Sequence, residues 1–201
     1  MAVDLNALNT EISEFNKKYE GTKLETPEEL NAYISDADKI LSKYPDPDNE
    51  AKKALGKFCS HLGCWVTVFG QDLEHGVEYY HKSLKLDPES YDINWEYYTT
   101  LEEIIEDEDY STPELINDAV NCLRACIECC DTPELKQKHY VHFRYLDLGN
   151  TYLIAKQPAK AAKCAKMSMK IEPNDRARQL LKKANKELGF FGKIQALFEK
   201  I

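Results

Sequence analysis

The chain has 201 residues, of which 43% are hydrophobic and 30% are charged, and this balance is ordinary for a globular protein with a buried core. The longest strongly apolar run, residues 64–69, is far shorter than the ~20 residues of a membrane span, and the first residues lack the basic start and apolar stretch of a signal peptide. We therefore expect a cytoplasmic protein. The seven cysteines agree with this, because their number is odd and small thiols suit packed helix faces.

The net charge of −9 is distributed unevenly along the sequence. Residues 1–133 contain 11 Lys and Arg against 29 Asp and Glu, a net charge of −18, whereas residues 134–201 contain 15 against 6, a net charge of +9. We expect an acidic first two-thirds and a basic end, which gives the molecule a charge dipole along its length.

A degenerate helical pair is predicted for residues 4–44. Asp4 is a suitable N-cap for its first helix, and Gly21 ends that helix. The second helix begins at residues 26–29, Thr-Pro-Glu-Glu, because Thr caps a helix, Pro fits the first helical position and Glu completes a capping box. The tripeptide Thr-Pro-Glu returns at residues 112–114 and 132–134, so two further helix starts are predicted there.

Three further helical pairs are predicted at residues 48–88, 91–131 and 134–173. The last has the clearest pattern, Tyr-x2-Leu-Gly-x2-Tyr at residues 145–152, followed by Ala161, Ala165 and the helix-stopping Pro173. The pair at 48–88 has a matching Leu-Gly at residues 62–63 and a Gly at 76, whereas the middle pair lacks the Leu-Gly signature. Small residues at these positions allow two helices to approach closely.

The end of the chain is predicted to contain a capping helix and an apolar tail. Residues 174–188 place one apolar stripe on an otherwise charged helix, as expected of the last helix of a repeat array. Residues 189–201 follow a glycine and form an amphipathic tail, which we expect to contact the protein itself, a second copy or another protein. Its contact residues are Phe190, Phe191, Ile194, Leu197 and Phe198.

These spacings resemble the tetratricopeptide repeat (TPR) family over about residues 50–188. The resemblance implies an all-α, right-handed α-solenoid in which residues 1–188 form a single domain and the first helix of each repeat lines a concave groove. Transferred position by position, the groove contains Lys57, Ser60, His61, Cys64, Phe143, Leu146, Asp147, Asn150 and Leu153. The family's clamp for acidic chaperone tails is not predicted, because Leu146 stands where that clamp has Lys.

Other kinds of site were weighed against this interpretation. Cys126, Cys129, His139 and His142 have a zinc-like composition, but they match no established finger and Cys122, Cys126 and Cys129 have the spacing of a buried helix face, so no metal is predicted. No phosphate loop, Gly-x-Ser-x-Gly or HExxH motif occurs, so neither an enzyme nor a cofactor is predicted. The lysine stripe from residue 156 to residue 170 lacks interleaved aromatic residues, so it predicts a solvated face rather than a nucleic-acid or membrane contact.

Two functions remain open from the sequence. The first is a non-catalytic protein-interaction module, a TPR adaptor or chaperone-like scaffold, whose groove in the acidic part of the chain suits a basic or apolar partner. The second is a self-assembling structural subunit that is joined through its charge dipole or its apolar tail, and is therefore a homo-oligomer. Salt-dependent oligomerisation of the protein alone would separate the two.

Overall fold

The computed structural model describes the backbone of residues 3–198 and the side chains of residues 3–189. Within that range the chain is helical and contains no strand, which confirms the all-α class. Ten helices are present in the described part: α1 (Leu5–Lys18), α2 (Pro27–Ser42), α3 (Asn49–Val68), α4 (Leu73–Leu86), α5 (Tyr91–Glu106), α6 (Pro113–Glu128), α7 (Pro133–Lys138), α8 (Val141–Ile154), α9 (Pro158–Ile171) and α10 (Asp175–Phe198). None of these helices is long and apolar enough to cross a membrane.

The predicted helix starts are confirmed at the level of hydrogen bonds. The Asp4 carboxylate accepts hydrogen bonds from the backbone N–H groups of residues 6 and 7 at 3.0 and 3.2 Å. Thr26 and Glu29 form the full capping box, with the Glu29 side chain 3.0 Å from the Thr26 nitrogen. Thr112 and Thr132 also cap helices through their hydroxyl oxygens. Each cap satisfies a backbone N–H group that the helix cannot pair internally.

The start at Thr132 differs from the prediction in one respect. It opens α7, which has only six residues, and not the long first helix of the last predicted pair. Tyr140 adopts the left-handed conformation (φ 49°) between the two helices, and α8 begins directly after it without a side-chain cap. A non-glycine residue in this conformation interrupts the helical hydrogen bonds, so one predicted segment becomes two helices.

The chain divides into two compact units, Met1–Thr100 and Leu101–Ile201. The core of the first unit joins α1, α2 and α3 with part of α4, and aromatic rings dominate it. Phe15 contacts the rings of Tyr33 and Phe58 at centroid distances of 4.9 and 5.2 Å, and Tyr19 contacts Tyr33 at 4.9 Å. Aromatic pairs at such distances add to the stabilisation that burial of their surface provides.

Helices α3 and α4 form an antiparallel pair with a very close contact. A methyl group added at Gly63 would lie 2.7–2.9 Å from the Tyr80 ring, and one added at Gly76 would lie 3.1 Å from the Gly63 carbonyl oxygen. Further along, the Ser83 hydroxyl donates a 2.6 Å hydrogen bond to the carbonyl oxygen of Gly56. Early residues of α3 thus meet late residues of α4. Only glycine leaves enough room for the two backbones at this distance.

The second unit repeats this arrangement with α8, α9 and α10. A methyl group added at Gly149 would lie 3.3 Å from Cys164 Cβ, 3.5 Å from the Ala161 carbonyl oxygen and 2.5 Å from Leu180 Cδ2. Leu146, Leu153 and the alanines of α9 and α10 form the core around this contact. Gly149 therefore lies where α8 meets both α9 and α10, whereas Gly63 faces the Tyr80 ring of α4.

The break predicted at Gly189 is also present. This glycine has φ 58° and ψ −167° inside α10, a combination that residues with a side chain rarely adopt. The predicted tail contacts Phe190, Phe191, Ile194, Leu197 and Phe198 lie beyond it, and their side chains are outside the described residues.

Candidate partner-binding site

The groove residues predicted on α3 fall into two groups. Ser60 is buried, and its hydroxyl donates a 2.5 Å hydrogen bond to a carboxylate oxygen of Glu96 on α5. Cys64 is half-buried, and desolvation raises the pKa of its thiol. Lys57 and His61 are exposed. Ser60 therefore contributes to packing, while Lys57 and His61 can be reached from solvent.

The residues predicted on α8 divide in the same way. Leu146 and Leu153 are each only 5% exposed, because they pack into the core that α8 shares with α9 and α10. Asn150 is exposed, and Phe143 and Asp147 are half-buried. Of the five predicted residues, these three provide the accessible surface of the helix.

Asp147 has an unusual electrostatic environment. Its carboxylate lies 3.1 Å from the Arg144 guanidinium, but only 23% of its side chain is exposed. Burial is the larger effect and raises the pKa of Asp147 to about 6, although Arg144 acts in the opposite direction. In an ion pair that is mostly removed from water, the attraction between the charges offsets little of the hydration free energy that they lose. Asp147 therefore changes its protonation state near neutral pH.

A small pocket opens between α1, α2 and α3 in the first unit. It has a volume of about 150 Å³, and aromatic rings from all three helices form most of its wall. Its lining residues are Phe15, Asn16, Tyr19, Glu20, Gly21, Tyr33, His61 and Trp65. The Trp65 ring stacks on Tyr33 at 6.4 Å and contacts His61 at 5.7 Å. A cavity of about this volume holds one benzene-sized group, so the pocket suits a single side chain rather than a whole small molecule.

The aromatic column on α3 continues beyond this pocket. The ring of Phe69 lies 4.8 Å from the Trp65 ring, and Phe69 and Val68 are 45% and 52% exposed. His61, Trp65 and Phe69 are four residues apart, so they lie on one face of the helix. Exposed large apolar side chains that adjoin a pocket are typical of a surface that contacts another molecule.

The charges around the pocket favour a cation. Glu20 is exposed in the pocket wall, and the left-handed Gly21 (φ 75°) directs the chain away from α1 immediately after it. The His61 ring contacts Trp65, and burial lowers the pKa of His61. Lys18, next to Tyr19 in the chain, is hydrogen-bonded to Asp36, and its ammonium lies 5.1 Å from the centre of the Tyr19 ring. The lining residues of the pocket thus combine π faces with one carboxylate, Glu20, and include no Lys or Arg.

Sequence analysis identified His61 but missed the other pocket residues. Neither Phe15 nor Trp65 was predicted as a site residue. The spacing of His61, Trp65 and Phe69 is a signal that could have revealed the aromatic column. The contribution of Tyr19 and Tyr33 depends on how α1 and α2 pack against α3, and no local pattern contains that information.

The cysteines and histidines that were considered for zinc are placed as follows. Cys122 and Cys126 are buried on α6, and burial raises the pKa of Cys122. His142 is buried at the start of α8, with its Nδ1 3.4 Å from a Glu172 carboxylate oxygen. Among the described residues no group of three or more His, Cys, Asp or Glu side chains is arranged to hold a metal ion. All seven cysteines have free thiols.

Comparison of the sequence with protein-family models and with characterised proteins finds no match to this chain.

Proposed function

We propose that this protein is a non-catalytic protein-interaction module of the TPR type, a right-handed helical-repeat scaffold that binds a segment of a partner protein. The glycines of the two Leu-Gly signatures support the repeat interpretation, because Gly63 lies in a close contact between α3 and α4 and Gly149 in one that α8 makes with α9 and α10. Within one repeat family such contacts recur, since each unit buries its apolar face against its neighbour.

The single observation that carries the binding proposal is the aromatic pocket beside α3. Its size accepts one side chain, and its rings and Glu20 favour the guanidinium of Arg or the ammonium of Lys. The first unit as a whole supports this preference, because residues 1–100 contain 10 Lys and Arg against 19 Asp and Glu, a net charge of −9. A basic segment would therefore be attracted over a distance and then anchored by one side chain.

The aromatic column provides the rest of the proposed contact. Val68 and Phe69 extend the surface along α3, so apolar side chains of the same segment would lie next to the anchoring cation. The predicted groove residues Lys57 and His61 are on the same helix and exposed.

The test is a selection of random 12-residue peptides on the full chain, followed by titration of the enriched peptides. We expect a recurrent Arg or Lys, and we expect replacement of that Arg by the uncharged isostere citrulline to weaken binding by about tenfold, since a desolvated cation–π contact contributes up to ~2 kcal/mol. Trp65→Ala should abolish binding and Glu20→Gln should weaken it. Glu25→Gln is the matched control, because Glu25 is also exposed but does not line the pocket.

Three results would contradict the proposal. One is a selection that enriches no peptide family. Another is a set of peptides that bind wild type and Trp65→Ala equally well while both proteins have the same circular dichroism. The third is a Glu25→Gln protein that loses as much affinity as Glu20→Gln. The Glu20 carboxylate would then contribute no more to binding than an exposed carboxylate outside the pocket.

A further inference from the structure

A second and larger cleft lies in the other unit, between α6 and the turn that joins α8 to α9. Its volume is about 430 Å³, which is within the range of sites for small organic ligands, about 300–1,000 Å³. The aromatic pocket of the first unit is about a third of that size. The cleft is therefore large enough for a whole small molecule.

The charged side chains that line this cleft are all cations, and they stand beside three carboxamides. The cations are Arg124 on α6, Lys156 in the turn before α9 and Lys160 in the first turn of α9, and the carboxamides are Asn117, Asn121 and Gln157. No carboxylate lines the cleft, although the chain has 35 Asp and Glu against 26 Lys and Arg. Three positive charges line the wall and Glu128, the partner of Arg124, is outside the lining, so the cleft carries an excess of positive charge that attracts an anion.

The turn between α8 and α9 holds two of these groups in place. The backbone N–H of Gln157 donates to the Tyr152 carbonyl oxygen at 2.7 Å, and that of Lys156 donates to Leu153 at 2.9 Å. These two bonds form a Schellman motif, with Lys156 in the left-handed position (φ 56°) that glycine usually occupies. Lys156 is thus fixed at the mouth of the cleft by the backbone.

The three cations are available to a ligand. Lys156 and Lys160 are exposed, and the ammonium of Lys160 lies 5.2 Å from the centre of the Tyr152 ring. Arg124 forms an ion pair with Glu128 at 3.6 Å, but both side chains are more than half exposed. An exposed ion pair of this kind is weak, so a multiply charged anion can compete with Glu128 for the guanidinium.

The remaining wall is mostly apolar and is formed by Pro113, Ile116, Val120, Tyr152, Ile154 and Ala155. Inorganic phosphate would leave this surface in water, whereas a phosphate ester with a ring would cover it. From the volume, the three cations and this wall we infer that the cleft binds a small organic phosphate. The phosphate contacts Arg124, Lys156 and Lys160, and the organic part lies on the apolar wall. This inference is independent of the proposed peptide site, which is in the other unit.

The experiment uses the full chain and calorimetric titration with adenosine 5′-monophosphate, inorganic phosphate and a single-stranded 12-residue oligoribonucleotide. We expect the monophosphate to bind at one site and more tightly than inorganic phosphate. The double variant Lys156→Gln/Lys160→Gln should lose about tenfold or more in affinity, because each charge-assisted hydrogen bond contributes ~1.5–3 kcal/mol.

The matched control is Lys166→Gln/Lys170→Gln, which removes the same charge from two exposed positions of α9 outside the cleft. It should bind the monophosphate as wild type does. The inference is overturned if the monophosphate shows no saturable binding, if it binds no better than inorganic phosphate, or if both double variants lose affinity equally. Tighter binding of the oligoribonucleotide than of the monophosphate would also overturn it, because the cleft would then be part of a nucleic-acid surface.

Discussion

The contact between Gly63 and Tyr80 gives a sharp test of the packing of α3 against α4. A methyl group at position 63 would lie 2.7–2.9 Å from three atoms of the Tyr80 ring, closer than real side chains approach. The ring cannot move aside easily. It is completely buried, it stacks on Tyr97 at 4.3 Å, and its hydroxyl lies 2.7 Å from the Thr100 hydroxyl. Gly63→Ala must therefore displace the ring or separate the helices.

The expected magnitude follows from two opposing effects. Overpacking a well-filled core costs ~1–3 kcal/mol, whereas alanine in place of glycine inside a helix stabilises by ~0.8–1 kcal/mol. Gly56→Ala on the same helix is the matched control. It has the same helical gain, but its methyl group would lie 3.3 Å from the side chains of Asp87 and Ile93, which need to shift by only a few tenths of an ångström. We expect Gly63→Ala to be less stable than Gly56→Ala by ~1–3 kcal/mol.

Urea unfolding followed by tryptophan fluorescence measures this difference directly. Both tryptophans of the chain, Trp65 and Trp95, belong to the first unit, so their fluorescence reports on the part that the substitution affects. In thermal unfolding, each kcal/mol of difference in the free energy of unfolding shifts the midpoint by about 2–4 °C for a chain of this length. A Gly63→Ala protein that is as stable as Gly56→Ala, or more stable, would refute the close packing of α3 on α4.

Three further predictions concern single residues. Because burial raises the pKa of Asp147 from 3.8 to about 6, the folded state binds the carboxyl proton more tightly than the unfolded state does. The stability that this proton contributes is full below pH 4 and is lost as the pH rises through 6. Denaturation between pH 4 and 7 should therefore show the stability of wild type falling relative to Asp147→Asn, by up to ~3 kcal/mol. Gly149→Leu should lower the thermal midpoint measured by circular dichroism, because even a methyl group there lies 2.5 Å from Leu180; an unchanged midpoint would show that the repeat register is wrong. Burial raises the pKa of Cys59 to about 12, so in a thiol-labelling time course at pH 7.5 it should react more slowly than the half-buried Cys64; equal rates would contradict the burial of Cys59.

Local chemistry in the sequence was sufficient to predict where most helices begin. Asp4, Thr26 and Thr112 are followed by residues that complete a cap, and caps depend on atoms within three or four positions of each other. The end of α7 after six residues was not predicted, because the left-handed conformation of Tyr140 has no local signature such as glycine or asparagine.

The accessibility of the predicted groove residues was decided by tertiary packing. Helical periodicity places Leu146 and Leu153 on one face of α8, but only the arrival of α9 and α10 buries that face. A sequence pattern gives the direction of a side chain around its own helix and not the identity of the neighbour that covers it. Ser60 and His61 are neighbours on α3, yet Ser60 is buried and bonded to Glu96 of α5 whereas His61 is exposed, and the sequence pattern did not separate them.

The sequence by itself determined the helical class, the capped helix starts and the close approaches at Gly63 and Gly149, because each depends on periodicity, capping chemistry or side-chain size. The tertiary structure alone decided the aromatic pocket and the cationic cleft. Both sites collect side chains from segments that are tens of residues apart, such as Tyr19 with Trp65 and Arg124 with Lys156. The side chains of each site come together because apolar helix faces are buried against one another. The hydrophobic effect that drives this burial is non-directional and acts between distant segments, so the local spacing of residues in the sequence does not reveal it.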